Sequence, residues 1–277
     1  MVLYVAGLSK WHMHGELNTY TKTGYKTVDG WLNLVALHAI VQFSNIQKEE
    51  SIAGPVCEIG VHHGRLFILL HLLTRSEEWS VAWDLFENQC ENPFDSGRGD
   101  LQKFKENLAR FGCDLNRISI YTKNSLALNA AEAIEACGGN PRLFSVDGGH
   151  TADITYNDIQ IAAKSICDCG IIILDDFFNE AWPGVAEGAS KYLIENNDLY
   201  PIAILGNKVM LTNSPEAADM YLNRFELAEP GYIIKRTEFY SREVICMVPL
   251  NTNVIWKYLR DKPAGRFFRK IREYISR

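Results

Sequence analysis

From Pro55 onward the chain alternates short apolar runs with stretches of helical period, and this rhythm restricts the fold more than any other feature. Strands are predicted at 56–59, 80–84, 117–121, 142–146, 170–175 and 201–205, and helices near 64–75, 100–111, 126–137, 152–167, 183–196 and 214–225. Runs such as Ile171-Ile172-Ile173-Leu174 are apolar at every position, which suits strands covered by helices on both faces. The expected fold is therefore α/β, with a doubly wound, mostly parallel sheet. At 277 residues the chain can bury one large core or two modest ones.

Outside this repeating part the pattern changes. Residues 1–24 read as irregular and polar, and a helix is predicted to begin near Asp29 as its N-cap, with Trp31, Leu32, Leu34, Val35, Leu37, Ile40 and Val41 following at helical spacing. Beyond residue 226, Tyr232–Arg236 and Glu243–Val248 read as two further strands, followed by a helix from Val254 and a basic tail. The predicted organisation is an N-terminal helical cap or lid over 1–50, a core over 51–226 and a C-terminal extension over 227–277.

The net charge of −6 argues against a general nucleic-acid binder, which needs a basic face. Seven cysteines, an odd number scattered along the chain, do not form the even framework of a secreted disulfide protein. The start, Met1-Val2-Leu3-Tyr4, carries no basic leader, and no segment has the run of apolar residues that a membrane helix needs. A cytoplasmic protein is expected.

Two acidic clusters close apolar runs: Val146-Asp147-Gly148-Gly149-His150, and Ile171-Ile172-Ile173-Leu174-Asp175-Asp176. If both runs are parallel strands, the carboxylates and the imidazole meet at the carboxyl edge of the sheet, where open α/β folds bind ligands. Adjacent strands lie about 4.8 Å apart, so Asp147, Asp175 and Asp176 could share one hard cation such as Mg2+. A cation also relieves the repulsion between the carboxylates. Coordination lowers the pKa of a hydroxyl, and His150 could then accept its proton. The competing explanation is ordinary: Asp175-Asp176 caps a helix and His150 is a hydrogen-bonded loop residue.

The first predicted strand leads into Glu58-Ile59-Gly60-Val61-His62-His63-Gly64, and Asp84 ends the second. Glycines suit a junction that turns tightly beneath a ligand, and an acidic side chain at the next strand end can accept hydrogen bonds from a ribose. The spacing is not the Gly-x-Gly-x-x-Gly of dinucleotide sites, so a nicotinamide cofactor is not expected. Glu58-x-Gly60-x-x-x-Gly64 followed by Asp84 resembles the cofactor motif of class I S-adenosylmethionine-dependent methyltransferases, whose fold is Rossmann-like. The resemblance implies that Gly60 and Gly64 line the methionine part of the cofactor, that Glu58 orients its amino end, and that Asp84 holds the ribose. It places Asn124 and Ser125 beside the adenine, although the acidic residue that many members carry there is missing.

The second half narrows the resemblance. Val146-Asp147-Gly148-x-His150, Asp158, Gly170-Ile171-Ile172-Ile173-Leu174-Asp175-Asp176 and Trp182-Pro183-Gly184-Val185 are together similar to the metal-dependent sugar O-methyltransferases of macrolide biosynthesis. The likeness covers roughly residues 55–190. It implies Mg2+ at Asp147, Asp175 and Asp176, His150 as base, and a small-molecule hydroxyl acceptor. Two other readings stay open: metal-independent methylation at nitrogen or of a macromolecule, and a catalytically silent ligand-binding or scaffold protein.

Smaller features carry less. Adjacent side chains usually diverge, so His62-His63 is expected to serve the loop rather than chelate, and His12-x-His14 is no stronger. Cys167-x-Cys169 reads as small buried apolar residues, not zinc ligands. Trp182 and the loop from Asn88 to Gly99 are candidate substrate walls. In the tail, Phe267, Phe268, Ile271, Tyr274 and Ile275 share a helical face opposite basic residues. That face suits docking on the chain's own domain or on a second copy in a homo-oligomer better than membrane binding.

Overall fold

The computed structural model describes residues 15–92, 96–226 and 232–249. The predicted helix from Val254, the basic tail and His12-x-His14 lie outside the described residues. In chain order the elements are α1 (Gly15–Lys22), α2 (Leu34–Glu49), β1 (Val56–Ile59), α3 (Arg65–Leu72), β2 (Ser80–Asp84), α4 (Leu101–Arg110), β3 (Ile118–Thr122), α5 (Ala130–Cys137), β4 (Leu143–Val146) and α6 (Ala152–Ser165). They continue with β5 (Ile171–Leu174), α7 (Pro183–Glu195), β6 (Tyr200–Leu205), β7 (Lys208–Thr212), α8 (Pro215–Arg224), β8 (Tyr232–Phe239) and β9 (Arg242–Pro249).

All nine described strands join one sheet in the order β3-β2-β1-β4-β5-β7-β6-β9-β8. The left half, through β5, is parallel. β7 runs antiparallel to both β5 and β6, and the β8–β9 hairpin extends the sheet by a parallel pairing of β9 with β6. Side chains on successive strand residues point to opposite faces, and the two cores follow that alternation. Ile171 and Ile173 enter the core that includes residues of α1 to α4 and α8, whereas Ile172 and Leu174 enter the one that includes residues of α5 to α7. The continuous apolar runs are thus explained by burial on both faces.

Several local expectations are corrected. Residues 15–22 form α1 despite their polarity, because Tyr20 packs edge-on against Phe111 at 4.8 Å and buries one face of this short helix. The helix predicted to start at Asp29 begins at Leu34 instead. Asn33 is its cap, its side chain accepting from the Ala36 N–H at 2.7 Å, while Gly30 holds the preceding segment in a φ of +131° that no helix permits. β7 is not expected from the sequence pattern, and α5 starts at Ala130, capped by Asn129, after a separate 3-10 turn over Ser125–Ala127.

The parallel register sets up the site. Ile59 pairs with Val146 and Val146 with Leu174, so Gly60, Asp147 and Asp175 are the next residues beyond three adjacent strands. The ladder runs on through those residues: the Asp147 N–H donates to the Ile59 carbonyl at 2.9 Å and the Asp175 N–H to the Val146 carbonyl at 3.0 Å.

Candidate active site

Past these strand tips the chain gathers Asp147, His150 and Asp176, whose possible ligand atoms all lie within 4.8 Å of one another. Asp176 is held in the left-handed region at φ +57°, a conformation that aspartate tolerates better than most residues. Its Oδ1 accepts from Asn179 at 3.0 Å and Asn207 at 2.8 Å, and its Oδ2 lies 3.4 Å from His150 Nε2. Burial alone would raise this carboxyl, but the bonds from His150, Asn179 and Asn207 outweigh it and hold it at about 2. The His150 ring stacks on Trp182 at 4.3 Å, and its Nδ1 sits 3.1 Å from the Ser96 hydroxyl. Trp182 and Ser96, one from each segment expected to form substrate walls, therefore both touch the histidine.

Asp175 faces elsewhere. Its Oδ2 pairs with the Lys208 ammonium, and its Oδ1 accepts from the Asp176 N–H and from Asn207 Nδ2, each at 2.8 Å. Lys208 and Asp175 are both buried, at 1% and 4% exposure, so neither charge can be left without the other. Burial would lower the lysine, but Asp175 and then Asp147 hold it above its ordinary value. Burial and the Asp175 charge push the Asp147 carboxyl well up, a conflict that a cation would relieve. Asn207 and Lys208 were missed in the sequence. Their signal was present: Gly206-Asn207 between the apolar runs 202–205 and 209–211 is the dipeptide of a tight hairpin, and Leu205 does pair with Lys208.

The glycine turn is shaped by the protein itself. A Cβ on Gly60, at φ +83°, would overlap the Asp147 carbonyl oxygen, and one on Gly64, at φ +91°, would press on the Phe104 ring at 2.8 Å. Asp84 pins this turn: its two oxygens accept from the His62 N–H at 2.8 Å and the Phe86 N–H at 2.6 Å. Contrary to expectation, the His62 and His63 rings do not diverge. They stack at 3.8 Å, with the His62 backbone in the left-handed region at φ +50°. Glu58 is buried behind the turn, with Oε1 accepting from the Ser145 hydroxyl at 3.0 Å and Oε2 without a partner. Burial pushes it up to about 8 against the pull of Lys208 and Ser145.

Asn124 and Ser125 stand apart from the aspartates, at the end of β3. Asn124 caps the 3-10 turn through the Leu126 N–H at 3.0 Å and donates to Glu91 at 2.9 Å. Glu91 thus supplies, from the loop after β2, an acidic group beside the position where the sequence showed none. The Ser125 carbonyl accepts from Asn157 at 3.0 Å, and the Ser125 hydroxyl supports Asp158, which burial pushes up to about 7. Asp158 is 1% exposed with Oδ2 unpartnered, and it lines the cleft with Val146, Asp147, His150, Asp176 and Val185. Among the described residues no metal-ligand group includes a cysteine.

Residues 57–177 match a family model described as Methyltransferase domain, a stretch that runs from inside β1 to just beyond the paired aspartates. Among solved structures the fold is similar to that of the O-methyltransferase NovP, at 13% identity and a TM-score of 0.54 over 66% of this chain and 81% of that one. It is also similar to the Podospora anserina methyltransferase PaMTH1 solved with SAH bound, at 14% identity and a TM-score of 0.50 over 73% and 89% of the two chains. Likeness at these identities is one of fold, here a Rossmann-like sheet. No curated protein matches this sequence.

Proposed function

We propose that this chain is a class I S-adenosylmethionine-dependent methyltransferase that methylates a hydroxyl of a small molecule with the help of a divalent cation such as Mg2+, a reading supported by the methyltransferase-domain match over residues 57–177. The observation that carries the reading is the convergence of Asp147, His150 and Asp176 at the sheet edge that also bears the glycine turn. Two carboxylates are the donor set magnesium commonly takes from a protein, its other positions being left to water or substrate. The donor chemistry therefore fits, with Asp147 and Asp176 Oδ2 as the groups that would hold the ion. Bound there, a cation would lower the pKa of the acceptor hydroxyl.

The chain's own residues do the rest. Trp182 and Ser96 hold the His150 imidazole against Asp176; with Nε2 turned to that carboxylate, Nδ1, beside the Ser96 hydroxyl, is the nitrogen that can take the acceptor's proton. Gly60 and Gly64 bring the backbone close to the methionine part of the cofactor, Asp84 offers its carboxylate to the ribose, and Asn124 and Ser125 border the adenine. Glu58, buried behind the glycine turn with Oε2 unpartnered, would act on the cofactor's amino end through that turn. Exposed Phe178 and its neighbour Phe239, 6.0 Å apart, supply an apolar surface near the paired aspartates, which suits an acceptor with a flat or ring-shaped face, such as a sugar or a glycosylated natural product.

Calorimetric titration with S-adenosylmethionine is the first test, and absence of binding would overturn the whole reading. Turnover across a panel of glycosides and phenols, before and after chelation, is the second. Activity should fall at least about 100-fold without metal and return on adding Mg2+. His150→Ala should lower kcat about 100-fold or more while Mn2+ binding stays within a few-fold, because a base is lost and not a ligand. A parallel loss of Mn2+ affinity would instead make His150 a metal ligand.

A further inference from the structure

The paired aspartates look equivalent in sequence but not in space. Asp175 spends Oδ2 on the Lys208 ammonium and Oδ1 on two donors, the Asp176 N–H and Asn207. Asp176 spends only Oδ1, on Asn179 and Asn207, and turns Oδ2 toward His150. One amide, Asn207 Nδ2, bridges both carboxylates at 2.8 Å each and so fixes the angle between them. The hairpin turn at Gly206 places this pair of residues, Asn207 and Lys208, directly behind the strand tips.

We propose that Lys208 is a positioning residue that keeps Asp175 out of the cation's coordination shell, while Asn207 aims Asp176 into it, so that Asp147 and Asp176 alone supply the protein's carboxylate ligands. The inference rests on the metal-dependent reading above and departs from the sequence expectation that all three aspartates bind. Charge supports it. Three carboxylates carry three negative charges, and the buried ammonium cancels one, leaving two to match a divalent ion. Displacing Lys208 to free Asp175 would strand an ammonium that is 1% exposed, which is costlier than leaving the pair intact.

The test is Mn2+ binding to the full chain, read as loss of the free-ion signal in electron paramagnetic resonance. The double variant Asp175→Asn with Lys208→Met removes one charge of each sign and keeps an oxygen for the Asp176 N–H, so the net charge of the site is unchanged. Its Mn2+ affinity should stay within about threefold of wild type, whereas Asp176→Asn should weaken binding at least about 30-fold. A loss in the double variant equal to that in Asp176→Asn overturns the inference. Wild-type protein that binds no Mn2+ overturns the metal reading itself, a distinguishable failure. If the double variant does not fold, anomalous diffraction from Mn2+-loaded wild-type crystals decides: Asp175 should still face Lys208, and an Asp175 oxygen bonded to the ion refutes the assignment.

Discussion

Glu58 shows how one residue can be plain in sequence and still change meaning in space. Its position before the glycine turn marked it as a cofactor group, but only its burial reveals that the carboxyl is raised to about 8. Between its unfolded value of 4.5 and about 8 the native state keeps a proton that the unfolded chain releases. The stability it contributes is therefore complete below the lower value and is lost as pH rises through the upper one. Denaturant unfolding of cofactor-free protein at about pH 5 and about pH 8.5 should show this decline in wild type and less of it in Glu58→Gln. An identical decline in both proteins would sink the assignment. Lys208 teaches the reverse lesson: the Gly206-Asn207 dipeptide marks the hairpin, but nothing local marks the lysine that opens β7 as a site residue, because its partner Asp175 lies just beyond β5.

At the scale of elements, the β1 turn is the tightest constraint on the site. Gly60 was expected to be glycine so that a ligand could approach, yet the carbonyl of Asp147 already fills the space a side chain would need. Gly60→Ala should thus destabilise the protein even without cofactor, by at least about 2 kcal/mol, since overlap adds to an unfavourable φ. A shift in denaturant midpoint measures it, and an unchanged midpoint would return the glycine to a purely ligand-facing role. Helix boundaries were legible where a cap was local. Thr151 accepts from the Ile154 N–H at 3.2 Å and Ser214 from the Ala217 N–H at 3.0 Å, each within a turn of its own helix. They failed at α1 and at the Asp29 segment, where packing against Phe111 and a glycine backbone angle took precedence over local pattern.

Across the whole molecule, the cleft and the anchoring of the sheet occupy opposite strand ends. Arg142, fully buried just before β4, bonds Glu78 at 3.1 Å, Ser44 at 3.1 Å, Gln47 at 2.8 Å and the Leu73 carbonyl at 2.9 Å. It ties α2 and the end of α3 to the sheet, far along the strands from the Asp147 edge. Arg142→Met takes the buried guanidinium from Glu78, which keeps Arg75 at 3.4 Å, and strips Ser44, Gln47 and the Leu73 carbonyl of their donor; it should cost about 2–4 kcal/mol in urea unfolding, with S-adenosylmethionine affinity of the folded fraction unchanged. A comparable loss in cofactor affinity would show that the two ends are coupled. On the other side of the sheet, the β8–β9 hairpin brings Phe239 against Phe177 at 5.4 Å, while the Tyr240 hydroxyl meets Ser190 at 2.6 Å. The extension thus reaches an aromatic surface next to the paired aspartates. No described helix is long and apolar enough to cross a membrane.

The sequence by itself determined the parallel half of the sheet, the glycine turn and the edge at which Asp147, Asp175 and Asp176 emerge. Those features follow from local periodicity and from where apolar runs stop, and both are written along the chain. Only the tertiary structure decided that β7 inserts antiparallel between β5 and β6, that its first residue neutralises Asp175, and that Asp176 alone of the pair turns to His150. The physical reason is that a buried charge is assigned by whichever opposite charge shares its low-dielectric surroundings. Lys208 and Asp175 meet through strand pairing, not through proximity in sequence.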